Sequence, residues 1–351
     1  MDNILRSARR HQRSLFIALF DLRNAFGEVD HDLIRTSLKY YNVDCHFINI
    51  FNSIYSDFNV NIACNNELTA SIQVQRGVLQ GDPCSPLLFN ICFNSLMRIL
   101  DSEKYKNLDY NWGNKATQST NWLQYADDAA LVAKDQKGAQ GLTKLFEAWC
   151  NWANMTIRLD KCCAFGMLKN QTNHVQILPK ISINAGQIPA VPIGGCFKYL
   201  GRIFNFDGDG EAEKSEIETT LSRLLAITTN LKVKPQTKLK ILDRYIASHL
   251  SFMLRTCNFT ATWVSQKLDA LTIRHVRNWV EAPISSCISE WLVSPKNTCD
   301  LGISSWKNRF EKLHISKRSA LKNSPNMNNR DLWGGHNEQE YYSRFLTISN
   351  T

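Results

Sequence analysis

The first part of the sequence alternates between apolar runs of strand length and segments whose apolar residues recur at helical spacing. Leu15–Phe20 is a continuous apolar run that ends on Asp21, and it predicts a buried strand. The preceding residues, 3–14, predict a short helix with a basic face. Residues 32–56 predict a helix or a pair of helices, and the loose alternation of residues 58–75 predicts a β-hairpin.

A Gly- and Pro-rich loop at residues 76–90 leads into a further helix, for which Ser85 is the predicted N-cap and Pro86 the first helical residue. The pattern then predicts a polar loop, a strand–acid–strand element, a helix, two or three strands and a long helical, basic segment. We predict a domain boundary near Phe206–Gly210. In order, these elements are residues 101–121, 123–134, 137–154, 156–204 and 211–280.

Two adjacent acids, Asp127 and Asp128, lie between the apolar runs of the strand–acid–strand element. Side-by-side carboxylates repel, and burial raises the free energy of ionising them unless a cation compensates. A turn between two strands puts both acids at its tip, and Asp21 follows another strand. Acids at neighbouring strand ends can converge on a pair of Mg²⁺ ions. By itself, an Asp-Asp pair is more often part of a solvated turn.

Composition and charge narrow the function classes. The chain of 351 residues has a net charge of +9, which permits a phosphate-rich partner without proving one. Its eleven cysteines include no C-x-x-C pair, which argues against a zinc ribbon or knuckle. No apolar stretch approaches the roughly 20 residues that a membrane span requires, and no signal-peptide pattern opens the sequence. We therefore expect an intracellular, reduced protein with no membrane partner.

Five segments follow one another along the chain: F-D-L-R-N-A-F-G-E-V-D-H (20–31), R-G-V-L-Q-G-D-P-C-S-P-L-L-F-N (76–90), Y-A-D-D (125–128), W-A-N-M-T-I-R-L-D-K (152–161) and F-K-Y-L-G-R-I-F (197–204). In this order, they resemble motifs A, B, C, D and E of the reverse transcriptases of non-LTR retrotransposons. Gly27, where many relatives carry Asp, resembles the R2-like branch of that family. The resemblance covers roughly residues 1–310 and is specific because all five motifs occur in the same order.

The resemblance implies a catalytic role for four side chains. Asp21 and Asp127 would be the main ligands of two Mg²⁺ ions, for which Mn²⁺ is a possible substitute, and the Leu22 carbonyl would complete one site. Asp128 would be an accessory metal-binding acid near the primer end. Lys161 matches the motif D lysine, a candidate general acid for the pyrophosphate leaving group, although outside this motif it would be a solvated surface lysine.

The resemblance also implies residues that bind the nucleotide, the primer and the template. Phe26 would clash with a ribose 2′-hydroxyl and favour deoxynucleotides, although outside the motif a core Phe is an equal alternative. The nucleotide pocket would also include Gln80 and Gly81. The primer backbone would lie on Tyr199, Leu200 and Gly201. Three lysines could hold duplex phosphates, or could equally form a solvated helix face: Lys234, Lys238 and Lys240.

The fold that the resemblance implies is α+β. A polymerase palm, with an antiparallel sheet and helices on one face, would be followed by a helical thumb. The expected domains are a palm with partial fingers at residues 1–208, a thumb at 209–285 and a helical or loose tail at 286–351. About twenty residues precede Asp21, so we expect the N-terminal fingers to be largely missing.

The implied function is that of an RNA-directed DNA polymerase domain of a non-LTR retroelement. It would add dNTPs to a primer 3′-hydroxyl by two-metal phosphoryl transfer. Its partners would be an RNA template, a DNA primer and dNTPs, and the resemblance to retroelements leads us to expect action in the nucleus. The alternative is a truncated, non-catalytic nucleic-acid-binding remnant, which the missing fingers favour. An unrelated Mg²⁺-dependent phosphohydrolase would leave motifs B and E unexplained.

Overall fold

The computed structural model describes residues 1–64, 67–102, 104–105, 108–113, 119–283, 285, 303–325 and 330. The chain divides into two compact units, Met1–Leu200 and Gly201–Thr351. The domain boundary predicted from sequence near Phe206–Gly210 falls a few residues into the second unit. Most of the predicted tail, residues 286–351, lies outside the described residues.

The first unit mixes helices with short and long strands, as an α+β fold requires. Three of its helices have an aspartate N-cap whose carboxylate accepts an N–H from the first helical turn: Asp30, Asp44 and Asp135. Its elements are α1 (Asp2–Arg10), β1 (Leu15–Phe20), α2 (Ala25–Glu28), α3 (His31–Tyr40), α4 (Cys45–Tyr55), β2 (Asn59–Val60), β3 (Ala63–Cys64), β4 (Glu67–Leu68), β5 (Ile72–Gln73), α5 (Ser85–Leu100), β6 (Tyr110–Asn111), β7 (Ser119–Thr120), β8 (Trp122–Tyr125), β9 (Asp128–Ala133), α6 (Gln136–Trp152), β10 (Cys163–Asn170), β11 (Asn173–Ile177), β12 (Ser182–Ile183), β13 (Gly186–Gln187) and β14 (Cys196–Tyr199).

A five-stranded antiparallel sheet organises this unit, in the order β11-β10-β1-β9-β8. β1 is the central strand, and all six of its residues are buried. Alternate residues of a strand point to opposite faces, so an uninterrupted apolar run is expected where both faces are covered. The expectation of a buried strand ending on Asp21 is therefore confirmed.

Helices α5 and α6 form one hydrophobic core with a face of the sheet. Phe20 at the end of β1 lies against Phe146 of α6, with ring centroids 4.4 Å apart. Phe93 of α5 contacts Trp149 of α6 at 4.7 Å, and both rings belong to the same buried cluster. Burial of such large side chains contributes about 1.5–3 kcal/mol each. This core fixes the end of β1, and with it the position of Asp21.

The second unit is largely helical and has its own core. Near its start, Arg202 donates two hydrogen bonds to the carboxylate of the buried Glu213, at 2.8 and 3.0 Å. Two single π-helical turns, Leu242–Ile246 and Ser265–Asp269, interrupt its helices. Its elements are β15 (Arg202–Asn205), α7 (Glu211–Asn230), α8 (Pro235–Ile241), α9 (Ala247–Thr256), α10 (Ala261–Val264), α11 (Ala270–Trp279) and α12 (Trp306–Lys322). The predicted helical segment at 211–280 is confirmed.

Two local expectations differ from the structure. The helix after the Gly-Pro loop begins at Ser85, so its N-cap is Cys84 and the predicted Ser85 cap is wrong. The reason is that the Ser85 hydroxyl donates to the Asp82 carboxylate at 3.3 Å. The expected strand from residue 156 starts only at Cys163.

Along the described part of the chain, no helix combines the length and apolar character needed to cross a membrane.

Candidate active site

The register of the two central strands brings two of the predicted acids together. Phe20 of β1 pairs with Ala129 of β9 in antiparallel register. Asp21 directly follows Phe20, and Asp128 directly precedes Ala129. Extending the register by one residue therefore places Asp21 beside Asp128 at the same end of the sheet, where the two carboxylates interact electrostatically. Directly opposed residues of antiparallel strands have Cα atoms about 4.5–5.5 Å apart. Their carboxylates emerge at the edge of the buried sheet, with the Asp21 side chain 33% exposed.

Asp127 lies in the tight turn between β8 and β9. Tyr125 pairs with Asp128 across this turn, which leaves a loop of only two residues, Ala126 and Asp127. Ala126 has φ +53°, a left-handed conformation that is costly for a residue with a Cβ. The Gln124 side chain donates a 2.7 Å hydrogen bond to the Ala126 carbonyl and holds the turn in place. The turn keeps Asp127 next to Asp128 at the strand end.

The three carboxylates interact electrostatically. Partial burial raises the pKa of Asp128, and the negative charges of Asp127 and Asp21 raise it further. Carboxylates that disfavour one another's ionisation favour the binding of a cation among them. Mutual repulsion of this kind is what the sequence predicted for the acidic turn and the end of β1.

The end of β1 is also attached to the motif D segment. The N–H of Arg158 donates to the Asp21 carbonyl at 2.9 Å, and the N–H of Arg23 donates to the Thr156 carbonyl at 2.9 Å. Between them, Leu22 and Ile157 form an isolated antiparallel bridge. Because the hydrogen bonds of this bridge come from residues flanking Leu22, the Leu22 carbonyl is not used in it. The bridge therefore does not prevent the Leu22 carbonyl from acting as a metal ligand, the role expected for it.

Sequence reasoning missed Arg158. Its Nε lies 3.7 Å from Asp21 Oδ2, and its Nη2 lies 3.5 Å from Asp160 Oδ2. An arginine therefore interacts with the acid that the resemblance assigns to metal binding. In the motif D segment, the resemblance assigns a role only to Lys161. Lys161 is exposed, and its backbone N–H donates to the Arg158 carbonyl at 3.0 Å. No local pattern indicates the ion pair, because residues 21 and 158 are brought together by the bridge between Leu22 and Ile157.

The donor set is chemically suited to Mg²⁺, which prefers oxygen ligands and often retains water or substrate phosphates. Asp21, Asp127 and the Leu22 carbonyl supply such oxygens. Among the described residues, however, no three side chains of His, Cys, Asp or Glu are placed so that they could hold an ion by themselves. The arrangement fits an ion that a substrate phosphate helps to bind, rather than a closed structural metal site.

Phe26, in the motif A segment, contacts two residues of the motif B segment. Its ring stacks on Phe89 of α5, with centroids 4.4 Å apart and planes 14° from parallel. Its carbonyl accepts the Val78 N–H at 2.8 Å. Phe26 is only partly buried and packs against the hydrophobic core. This position accommodates both readings of Phe26, as a core side chain and as a pocket wall.

A second contact that sequence reasoning missed joins the same two segments at Gly77. The Gly77 N–H donates to the Val29 carbonyl at 2.7 Å, and the Gly77 carbonyl lies 2.8 Å from Nε2 of the buried His31. Gly77 has φ +88°, and a Cβ there would come within 2.7–2.9 Å of the Gly27 backbone. The glycine pair therefore allows the two backbones to approach closely.

The other predicted pocket residues lie in the exposed part of the motif B loop. Gln80 and Gly81 are both exposed. Gly81 has φ +94°, and no atom would lie within 4 Å of an added Cβ. The surroundings of Gly81 are therefore open, unlike those of Gly77. Their assignment to nucleotide binding stays a prediction.

The predicted primer residues fall at the division between the two units. Tyr199 is buried, and burial raises the pKa of its hydroxyl, with a smaller contribution from the negative charge of Asp128. Leu200 has φ +50° and is 37% exposed. Gly201 has φ +72°, and an added Cβ would lie 3.3 Å from the Phe252 ring. Tyr199 is thus linked electrostatically to the acidic site.

The three predicted template lysines differ in their surroundings. Lys234 precedes α8 and Lys240 lies in its last turn, and both are exposed. The Lys238 ammonium donates to the Thr229 carbonyl at 2.7 Å. This bond satisfies a carbonyl of the last turn of α7, which is a common structural use of lysine. Lys238 therefore has a capping role, whereas Lys234 and Lys240 remain available to solvent and phosphate.

Comparisons with known proteins identify the family of the chain. The family model described as reverse transcriptase (RNA-dependent DNA polymerase) matches residues 1–204. The Pol polyprotein from the type-2 retrotransposable element R2DM of Drosophila melanogaster is 28% identical over 324 residues, which cover 92% of this chain and 30% of that protein. The Pol polyprotein from the type-1 retrotransposable element R2 of Nasonia vitripennis is 26% identical over 338 residues, covering 95% and 31%. The chain thus spans less than a third of the length of these curated relatives.

Among solved structures, apo telomerase from Candida tropicalis is similar with a TM-score of 0.43 and 10% identity, covering 90% of this chain and 48% of that one. A likeness at this level supports no conclusion about the chain. The family match does, because it includes all five motif segments, A to E. Since that match covers more than half of the sequence, the chain belongs to the reverse transcriptase (RNA-dependent DNA polymerase) family.

Proposed function

We propose that this chain is the palm and thumb part of an R2-like retroelement polymerase that copies RNA into DNA. The observation that carries the proposal is the register of β1 and β9, which sets Asp21 beside Asp128 with Asp127 in the adjoining turn. Family membership gives the reaction class, and the acids supply the chemistry that a nucleotidyltransferase needs. The activity is a proposal because the chain spans only part of its relatives.

In this proposal the chain's own residues bind and orient the reactants. Asp21, Asp127 and the Leu22 carbonyl bind two Mg²⁺ ions or, as a substitute, Mn²⁺, while Asp128 adds negative charge near the primer end. When bound, these ions lower the pKa of the attacking hydroxyl and stabilise the leaving oxygen. Lys161 donates a proton to the departing pyrophosphate. The primer backbone would lie along Tyr199, Leu200 and Gly201.

Phe26 selects the sugar in this proposal. Its stacking on Phe89 at 4.4 Å holds the ring against α5, so the ring cannot swing away from a 2′-hydroxyl without losing that contact. Gln80 and Gly81 line the same pocket from the motif B loop, where the open space around Gly81 admits a nucleotide. These placements favour dNTPs as substrates.

The proposed partners are an RNA template, a DNA primer and dNTPs, with the nucleus as the site of action. The net charge of +9 favours a polyanion, and the exposed Lys234 and Lys240 are the proposed phosphate contacts. Binding that depends on such contacts weakens steeply as the salt concentration rises. Because Lys238 caps α7, we assign it a smaller share of that binding.

The test is primer extension on an oligo(dT)-primed poly(rA) template with Mg²⁺. Three proteins are compared: the unaltered chain, Asp127→Asn and Asp57→Asn, a control that removes an exposed acid distant in sequence from the motifs. We expect extension by the unaltered chain and the control, and a loss of at least about a hundredfold in Asp127→Asn. No extension by any of them, with salt-sensitive duplex binding by all three, would instead mean a non-catalytic nucleic-acid-binding remnant.

A further inference from the structure

The ion pair between Arg158 and Asp21 is not part of the expected chemistry of a metal-binding acid. A guanidinium and a divalent cation are both positively charged, so they compete for the same carboxylate. The Arg158 side chain is 37% exposed and that of Asp21 is 33% exposed, so both groups face solvent at the open end of the site. At 3.7 Å the contact is an ion pair without a close hydrogen bond, and a stronger cation can replace it.

Arg158 has a second acidic partner besides Asp21. Its Nη2 lies 3.5 Å from Asp160 Oδ2, and the Asp160 side chain is 72% exposed. The same arginine lines an open groove together with Arg23, Thr156 and Gln187. The guanidinium therefore has room to move and an anion that keeps it paired if it leaves Asp21.

We propose that Arg158 is a positioning residue that occupies the Asp21 carboxylate until a divalent cation displaces it, after which its guanidinium stays with Asp160. Before the cation binds, Arg158 orients Asp21 and offsets the repulsion among the three acids. The backbone hydrogen bond from Arg158 to the Asp21 carbonyl holds the two residues together throughout. The inference rests on the proposed function, since it concerns the same metal-binding acid.

The affinity of the site for Mn²⁺ measures this competition directly. Free Mn²⁺ is followed by its electron paramagnetic resonance signal as the full chain is titrated, and Asp127→Asn identifies the ions bound at the acids. A partly exposed ion pair is worth up to about fivefold in an equilibrium constant. We therefore expect Arg158→Gln to bind Mn²⁺ about three- to fivefold more tightly, and Arg158→Lys, which keeps the charge, to stay within about twofold of the unaltered chain.

The matched control is Arg23→Gln, which removes an equal charge from the same groove. The Arg23 Nε lies 4.0 Å from Glu28 Oε1, and the Arg23 side chain is 70% exposed. In the part of the chain that the structure describes, Arg23 is thus paired with Glu28 and not with the three acids. We expect its effect on Mn²⁺ affinity to be smaller than about twofold. Equal increases in Mn²⁺ affinity in Arg158→Gln and Arg23→Gln would overturn the proposal, because the loss of any positive charge from the groove would then explain both. An unchanged or weaker affinity in Arg158→Gln would overturn it as well.

The role of Asp160 is tested by introducing Asp160→Asn into the unaltered chain and into Arg158→Gln. If Asp160 receives the displaced guanidinium, its loss weakens Mn²⁺ binding more when Arg158 is present than in Arg158→Gln. Equal effects in the two backgrounds would refute the transfer to Asp160, since only the loss of one nearby negative charge would remain.

Primer extension separates failure of this inference from failure of the proposed function. Extension by the unaltered chain, with Mn²⁺ affinity that does not respond to Arg158, would overturn the role of Arg158 and leave the polymerase function standing. No extension, with Mn²⁺ affinity that responds to both Asp127 and Arg158, would do the reverse. If both proposals hold, Arg158→Gln reaches its half-maximal extension rate at a lower Mg²⁺ concentration than the unaltered chain.

Discussion

Replacing Gly77 by alanine tests whether the close contact between the motif A and motif B segments supports the first unit. Gly77 has φ +88°, and its new Cβ would come within 2.7 Å of the Gly27 carbonyl oxygen and 2.8 Å of its Cα. The hydrogen bonds of Gly77 to Val29 and His31 leave the loop little freedom to withdraw. The substitution therefore combines backbone strain with a steric clash against a rigid backbone.

The magnitude follows from these two effects. A positive φ costs a residue with a Cβ about 1–2 kcal/mol, and forcing an atom into a filled space costs about 1–3 kcal/mol. Alanine also reduces the entropy of the unfolded chain, which returns about 0.4–1 kcal/mol. We therefore expect Gly77→Ala to lower the free energy of unfolding of the first unit by about 3 kcal/mol.

The matched control is Gly194→Ala. Gly194 has φ +73° and no atom within 4 Å of an added Cβ, so it isolates the backbone strain. Hydrogen exchange of the β1 peptide, measured by mass spectrometry across a urea series, gives the free energy of unfolding of each variant. We expect Gly194→Ala to cost about 1 kcal/mol, roughly 2 kcal/mol less than Gly77→Ala. If the two variants lose the same stability, the close contact with Gly27 is not a stabilising feature and our reasoning is refuted.

Three further predictions concern the second unit, each measured by hydrogen exchange of its helices. Burial and, to a smaller extent, the positive charges of Lys317 and Arg318 lower the pKa of His314 to about 4. The folded state therefore favours the neutral imidazole, so the stability that His314 contributes is present above pH 6.5 and is lost as the pH falls toward 4. Because His314 is partly exposed, we expect the free energy of unfolding of the second unit to fall by only about 1–2 kcal/mol over this pH range. The variant His314→Phe should show no such fall. Arg202→Leu leaves the buried Glu213 carboxylate unpaired and should cost about 3–5 kcal/mol, most of which Arg202→Leu/Glu213→Leu should recover; no recovery would contradict the pairing. Thr229→Val removes an oxygen that accepts from Trp279 Nε1 at 2.8 Å and should cost about 1–3 kcal/mol, whereas no loss would mean that the bond contributes nothing.

The parts of the fold that the sequence predicted are those with a local periodicity. The run Leu15–Phe20 could be recognised as a strand because burial on both faces removes every polar residue from it. The pair Asp127-Asp128 could be placed at a turn because the flanking residues have strand character. The two acids and Asp21 were then joined by the assumption that neighbouring strands end together, and the register of β1 with β9 confirms that assumption.

The parts that the sequence did not predict depend on contacts between distant segments. Arg158 reaches Asp21 only because Leu22 and Ile157 pair across the end of the sheet. Lys238 has the sequence context of a phosphate-binding residue, yet its ammonium caps α7 through the Thr229 carbonyl. A lysine looks the same in sequence whether it binds a carbonyl or a phosphate, so only the tertiary structure separates these roles.

Backbone strain recurs in the segments that match the polymerase motifs. Non-glycine residues with positive φ occur in the motif A, C, D and E segments, and the motif B segment has two positive-φ glycines instead: Asn24, Ala126, Asn154 and Leu200, with Gly77 and Gly81. Asparagine tolerates this conformation, but Ala126 and Leu200 have no side-chain group that offsets the cost of about 1–2 kcal/mol. Strain of this kind persists only where surrounding contacts hold it, and it concentrates at functional sites. At Ala126 the hydrogen bond from Gln124 and the pairing of Tyr125 with Asp128 supply those contacts, so the stability of β8 and β9 is what keeps Asp127 in the turn beside Asp128.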